Sequence, residues 1–287
     1  MIRLVLLCLI CAIAPAQTLR IEVFSLFRTS TLRIAPAGQP ILLRTRDNTV
    51  ELEGGRSVAL TAGVEVSSRS GGATDFELSV PGRITRRFHG LLRTHASGRK
   101  LVAILEIDRE LAVASAVAAE SPPGATFEAL KAQAVVTRSY YAAARDRHSD
   151  SDFCDTTHCQ FLRSPPDPAS PAARAAAETR GLVLAWQGRT SPALYSAACG
   201  GSTRDFEEGD AYPYRSVACA WCSRHGHGEV AGHRLGLCQR GAAGMAASGA
   251  SYREILSHFF PSAAITSIED AGAAHFLVAT PTSFAAY

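Results

Sequence analysis

Very little in this 287-residue chain suits a nucleic-acid partner. Its 29 Lys and Arg nearly balance 26 Asp and Glu, leaving a formal charge of +3. There is no dense Lys/Arg block of the kind that neutralises phosphates. After the first residues no apolar run approaches the roughly 20 residues that span a bilayer. The chain has no solenoid-type repeat, and no low-complexity segment beyond its alanine-rich stretches. Ser196 lacks the Gly-x-Ser-x-Gly elbow and any assignable Asp/His partner, which excludes a serine-hydrolase triad there. What remains is an ordinary globular composition, 47% hydrophobic and 19% charged, long enough for one large domain or two small ones. Its weakly basic balance suits an anionic polymer such as a cell wall or a membrane surface.

The opening "MIRLVLLCLICAIAPAQ" predicts a cleaved export signal over residues 1–16. Arg3 supplies the positive start, Leu4 to Ala14 the apolar core, and Ala14-Pro15-Ala16 the small-x-small cleavage pattern. Cys11 follows the bulky Ile10, where a lipoprotein motif requires a small residue. Export predicts a periplasmic, cell-wall or extracellular location, with no transmembrane segment after cleavage. Losing Cys8 and Cys11 leaves Cys154, Cys159, Cys199, Cys219, Cys222 and Cys238. In an oxidising compartment six cysteines read first as disulfides.

Residues 17–100 form a β-rich N-terminal portion. Short runs such as "LRIEVFSL", "TLRIAP", "PILLR", "TVELEGG", "FELSVPG" and "RITRRFHGLLR" alternate between Gly, Pro and Asn turns. "KLVAILEID" (Lys100 to Asp108) continues as a strand, and from Glu110 the pattern turns helical within region 101–287. "ELAVASAVAAE" is a short buried helix stopped by "SPPG". "TFEALKAQAVVTRSYYAAARDR" is a long one, with Thr126 placed to cap it and Arg145 and Arg147 at its C-terminal end. "PAARAAAETRG" and "GAAGMAASGASYREILSHFFP" add further helices. "LVLAWQGRTSPALYSAACGG" reads as two strands around a turn, and "AITSIED" and "AHFLVATP" as late strands.

Four features carry chemistry. Glu120 ends an apolar helix, where the helix dipole and apolar neighbours raise a carboxyl pKa toward that of a general acid; the same position also suits a solvated chain exit. Lys131 and Arg138, two helical turns apart, form either a substrate-facing basic stripe or a solvated face with Glu128 paired to Lys131. "YSAACGGST" carries hydroxyls around Gly200-Gly201, which permit close approach to a ligand or simply a tight turn. "HSDSDFCDTTHCQ" is either a zinc site or a small disulfide loop with two bystander histidines.

The segments "EALKAQAVVTRSYY", "DTTHCQ", "YSAACGGST" and "GHRLGLCQRGAAGMAASGASYREILSHFFP", in this order, resemble the stage II sporulation protein D (SpoIID/LytB) family from about Gly90 to Pro261. The resemblance implies an α+β fold, a mixed α/β SpoIID-like core behind the β-rich portion. It implies a lytic transglycosylase that cuts peptidoglycan glycan strands stripped of stem peptides. Glu120, in "SAVAAESPPG", falls where the family's catalytic acid lies. It would protonate the oxygen between N-acetylmuramic acid and N-acetylglucosamine, then take the muramic 6-hydroxyl proton as a 1,6-anhydro ring closes. The resemblance places Lys131, Gln133 and Arg138 beside the cleft, with Gln160, Tyr195, Ser196, Gly200 and Gly201 lining it.

Some members of that family bind zinc in the "HSDSDFCDTTHCQ" segment. The order His148, Cys154, His158, Cys159 suits a structural Cys2His2 zinc site, whereas a Cys154–Cys159 disulfide leaves both histidines without a purpose. A second group, Cys219, Cys222, His225 and His227, is either another metal site or a source of two disulfides to Cys199 and Cys238, the simpler expectation. This chain departs from the family pattern at Leu111, Ala112, Ser115 and Ala116 before the acid, and at Arg234 and Cys238, where glycine and serine are usual. Two rival readings stand beside the enzyme. One is a non-catalytic wall-binding module that recruits or enhances an amidase. The other is a thiol-disulfide protein using Cys219-Ala-Trp-Cys222, although no thioredoxin-like βαβ context surrounds that motif.

Overall fold

The computed structural model describes residues 18–144, 147–207, 212–225 and 228–271. The expected export signal, Arg145, His227 and the expected strand over 274–281 lie outside the described residues. The fold is mixed α+β. Nine strands come first: β1 Thr18–Glu22, β2 Leu32–Pro36, β3 Ile41–Arg44, β4 Thr49–Leu52, β5 Val58–Leu60, β6 Val64–Ser67, β7 Thr74–Val80, β8 Ile84–Ser97 and β9 Lys100–Asp108. Of these, β5 and β6 were not singled out by the sequence pattern. With β10 (Phe153–Cys154) they make a ten-stranded sheet in the order β10-β1-β9-β8-β6-β3-β4, and β7, β2 and β5 continue from the other half of β8. Strand β7 alternates buried and more open positions, the two-residue period of a sheet with one covered face. Gly90 marks where β8 changes partners, and a Cβ there would lie 2.4 Å from the Glu106 carbonyl oxygen.

The chain passes from β9 straight into α1 (Arg109–Glu120), because Asp108 accepts the Leu111 N–H at 3.0 Å and caps the new helix. Helix α2 (Phe127–Ala143) comes next, then α3 (Pro171–Glu178). Thr126 occupies the first cap of α2, but its hydroxyl makes no capping bond. Residues 132–141 of α2 are all buried, as expected of a helix packed on every side. Leu130, Ala134, Tyr140 and Tyr141 join the core under the sheet with α1 and α3. Ala129, Ala132, Val135 and Val136 join a second core built from the C-terminal elements.

Those elements are short. Strand β11 (Leu182–Trp186) pairs with β12 (Arg189–Thr190) and with the last strand, Ala264–Ser267. Between them come β13 (Tyr195–Ser196), β14 (Ala198–Cys199), α4 (Ala220–His225), β15 (Val230–Ala231), β16 (Leu237–Cys238), α5 (Gln239–Ala247) and α6 (Tyr252–Phe259). Strand β13 lies parallel to β16, and β14 antiparallel to β15. A full capping box of Ser251 and Glu254 starts α6. No described helix is long and apolar enough to cross a membrane.

Candidate functional site

Glu120 is the last residue of α1, and the chain then turns extended at Ser121. Its Oε1 accepts the Phe161 N–H at 2.8 Å, and the Tyr195 hydroxyl donates to the same carboxylate. The Gln239 side-chain amide donates to the Glu120 backbone carbonyl at 3.1 Å and reaches Gln133 Oε1 at 3.4 Å. Burial raises the Glu120 pKa above the ordinary carboxylate value; the Phe161 amide, the Tyr195 hydroxyl and the charge of Arg163 oppose that rise without cancelling it. Desolvation therefore dominates, which keeps the proton on this acid at a higher pH than in water. Directly beside it lies a small, shallow cleft lined by Ser121, Pro122, Gln133, Leu237, Gln239 and Ala242. Amides and small apolar groups, with no charge among them, suit neutral hydroxyl-rich ligands.

Of the residues singled out from sequence, Gln133 and Tyr195 stand at this acid. Gln160 and Ser196 are buried next to Phe161 and Tyr195, each with a side-chain oxygen that has no hydrogen-bond partner. Arg138 is different. It has no exposed surface, and its Nη2 meets Glu110 at 2.7 Å and the Ala176 carbonyl at 3.0 Å. A third bond runs from Nη1 to the Leu182 carbonyl at 3.1 Å. The guanidinium ties α1, α3 and β11 to α2, so the substrate role expected for it does not fit. Lys131 pairs with Glu128, lies 3.7 Å from Glu178, and sits over the rings of Phe127 and Tyr252. Its pairing with Glu128 is as one of the two sequence alternatives had it, but the side chain is only 14% exposed and so not on a solvated face.

Gly200 and Gly201 do not border this cleft. Both hold positive φ, and a Cβ on Gly200 would lie 2.7 Å from Val230 Cγ2. They are the tight turn that leads out of β14. The four cysteines of this region, Cys199, Cys219, Cys222 and Cys238, form no disulfide. Burial of Cys219 and Cys222 also leaves no accessible thiol pair for disulfide exchange.

Four contacts escaped the sequence reading. The Phe161 amide is a backbone group and carries no residue signal. Arg163 lies over the Phe161 ring at 4.2 Å and close enough to act on Glu120. Gln239 was visible in "LCQRG" without a partner to give it meaning. His233 accepts the Leu235 N–H on Nδ1 at 2.9 Å and bonds the Tyr195 backbone. Burial, aided by the charge of Arg204, pushes His233 down to about 4; it is a neutral prop behind Tyr195. Arg234 comes next with φ 65°, a left-handed conformation that costs about 1–2 kcal/mol outside glycine. Three guanidinium hydrogen bonds to Ser202 hold it there.

The "HSDSDFCDTTHCQ" loop is stitched to the sheet edge. Strand β10 runs parallel to β1. Asp155 accepts from the Phe24 amide at 2.9 Å and pairs with the largely buried Arg86 at 2.8 Å. This brings the ligand atoms of His148, Cys154, His158 and Cys159 within 4.8 Å of one another. His148 Nε2 lies 3.3 Å from Cys159 Sγ, and His158 Nδ1 lies 3.6 Å from Cys159 Sγ and 3.9 Å from Cys154 Sγ. A zinc tetrahedron with bonds of about 2.0–2.3 Å has edges of roughly 3.3–3.8 Å, so this donor set fits the ion. The sulfurs are free thiols. Cys154 is lowered to about 3, chiefly by its hydrogen bond with Cys159. The buried Tyr140 also bonds Cys159, a supporting contact typical of a ligand sulfur. Two residues beyond Cys159 lies Phe161, whose amide holds Glu120.

No curated protein matches this chain. A family model described as SpoIID, Stage II sporulation protein, matches residues 97–186, from the end of β8 through the acid and the Cys/His loop to β11. Over residues 97–186 this chain is therefore similar to the SpoIID family.

Proposed function

We propose that this chain is an exported lytic transglycosylase of the cell wall, acting on peptide-stripped peptidoglycan glycan strands. The match to the SpoIID family model over residues 97–186 supports a cell-wall-related function. The observation that carries the finer reading is Glu120: a partly buried carboxyl with a raised pKa, gripped by one amide and one hydroxyl next to a small uncharged cleft. The protonated acid gives its proton to the glycosidic oxygen between N-acetylmuramic acid and N-acetylglucosamine as the C1–O bond breaks. The resulting carboxylate takes the proton of the muramic 6-hydroxyl while O6 bonds to C1. One carboxyl ends as it began and no water is consumed, so the second carboxylate of an ordinary glycosidase has no task here. Gln133 and Gln239 supply amides to the sugar, and Tyr195 steadies the carboxylate between its two roles.

Zinc held by His148, Cys154, His158 and Cys159 would be structural, since four protein ligands leave no open position. Its effect is to fix the Cys159–Phe161 segment and hence the amide on Glu120. Chelator treatment is expected to lower the melting temperature and the rate of strand cleavage together. Cys154→Ser should already show both deficits before any chelator is added. Equal melting curves with and without chelator rule this role out.

The pH profile tests Tyr195. Its hydroxyl favours the charged form of Glu120, so Tyr195→Phe should raise the Glu120 pKa further and move the alkaline limb of kcat/KM upward. A limb that stays in place while the rate falls assigns Tyr195 to packing alone. Mass spectrometry of strands incubated with the protein decides the function itself: 1,6-anhydro-muramic ends support the enzyme. Strands bound but left intact turn the reading to a wall-binding module that recruits an amidase.

A further inference from the structure

The described residues between 195 and 238 carry little regular structure. Their strands are two residues long and α4 has six residues, so few ladder hydrogen bonds hold them. Yet Cys199, Cys219, Cys222 and Cys238 are all nearly or wholly buried, and they come from three places: the end of β14, the start of α4 and the end of β16. Their four sulfurs lie within 4.8 Å of one another, with Cys222 and Cys238 3.5 Å apart. Disulfides would bring the sulfurs together two by two. A mutual cluster of four is instead what a tetrahedral S4 centre requires, with edges of roughly 3.8 Å for zinc–sulfur bonds of about 2.3 Å.

Backbone N–H groups point at three of the four sulfurs. The Gly241 amide donates to Cys238 Sγ at 3.4 Å, and the amides of Gly201 and Cys222 bond Cys199 and Cys219. N–H donors aimed at sulfur are the outer support of a metal thiolate. Cys238 stands at the N-cap of α5, a position where Ser, Thr, Asp or Asn is preferred, so a sulfur there calls for a second purpose. A Cβ on Gly241 would lie 2.6 Å from Cys219 Sγ; the helix leaves that space to the sulfur.

We propose that Cys199, Cys219, Cys222 and Cys238 hold one zinc ion in a closed, structural S4 site. The site is separate from the Cys/His cluster and is inferred without reference to the strand-cutting activity. It crosslinks a region that hydrogen bonds alone hold weakly. Gln239, directly after Cys238, reaches the Glu120 carbonyl, and Tyr195 lies four residues before Cys199. The acid is thus flanked by two metal-held segments, Phe161 on one side and Gln239 with Tyr195 on the other.

The test counts metal and maps thiols on the whole chain. In Cys154→Ser/Cys159→Ser, which removes the other cluster, elemental analysis should still find one zinc per chain. In native wild type, alkylation of the four cysteines should require a chelator and no reductant, and peptide mapping should find all four modified. Disulfide-linked peptides among the four overturn the proposal. So does alkylation that is insensitive to chelator. If the serine variant fails to fold, Cys222→Ser in the otherwise native chain replaces it and should lose one zinc equivalent; unchanged metal content there also overturns the site.

Discussion

Glu120→Gln is expected to lower the release of anhydro-ended fragments by about 10²–10⁴-fold, the range over which a positioned acid-base group contributes, while strand binding is retained. Glutamine keeps the shape of the side chain and can still accept the Phe161 amide, so the loss isolates the proton. Stability separates this from a folding defect. The folded Glu120 pKa is raised, so this carboxyl favours the fold at low pH. That contribution is lost as pH rises through the folded value, because a carboxylate must then be held partly buried. At pH 7 a neutral amide removes that penalty, and the variant should unfold no earlier than the wild type. Fragment mass spectrometry and thermal unfolding at pH 7 check both halves. Ordinary turnover by Glu120→Gln would sink the assignment of the acid.

Arg138→Met is expected to damage the fold rather than the cleft. It takes from the Glu110 carboxylate, whose side chain is only 10% exposed, its closest cation and leaves only Arg109 at 3.7 Å. Breaking a buried pair from one side costs about 3–5 kcal/mol. For a chain of this size that corresponds to a melting temperature lower by roughly 6–20 °C. Replacing both partners, Arg138→Met with Glu110→Leu, should recover part of the loss, because the stranded carboxylate goes with its closest cation, while Arg109 loses its 3.7 Å contact to Glu110. If instead the single variant melts normally and loses affinity for glycan strands, the guanidinium serves the substrate and its burial here misleads.

Much of this protein is written locally. The alternation of β7 and the alanine-rich run of α1 form where the pattern placed them, because strand and helix preferences act over a few neighbouring residues. Glu120 was legible for a similar reason: a carboxyl at the end of an apolar helix is a local feature. Tertiary structure decided which partners these residues meet. Lys131 and Arg138 share a helix stripe in sequence, yet one lies between Glu128 and two aromatic rings and the other inside the junction of α1, α3 and β11. Stripe geometry gives direction along a helix; only packing determines whether that direction leads to water or to a buried carboxylate. The cysteines make the same point. Spacing allowed loops, disulfides or metals, and the choice among them rests on sulfur positions set by the parallel pairing of β1 with β10 and of β13 with β16. Those pairings join residues more than 40 positions apart, beyond the reach of any local pattern.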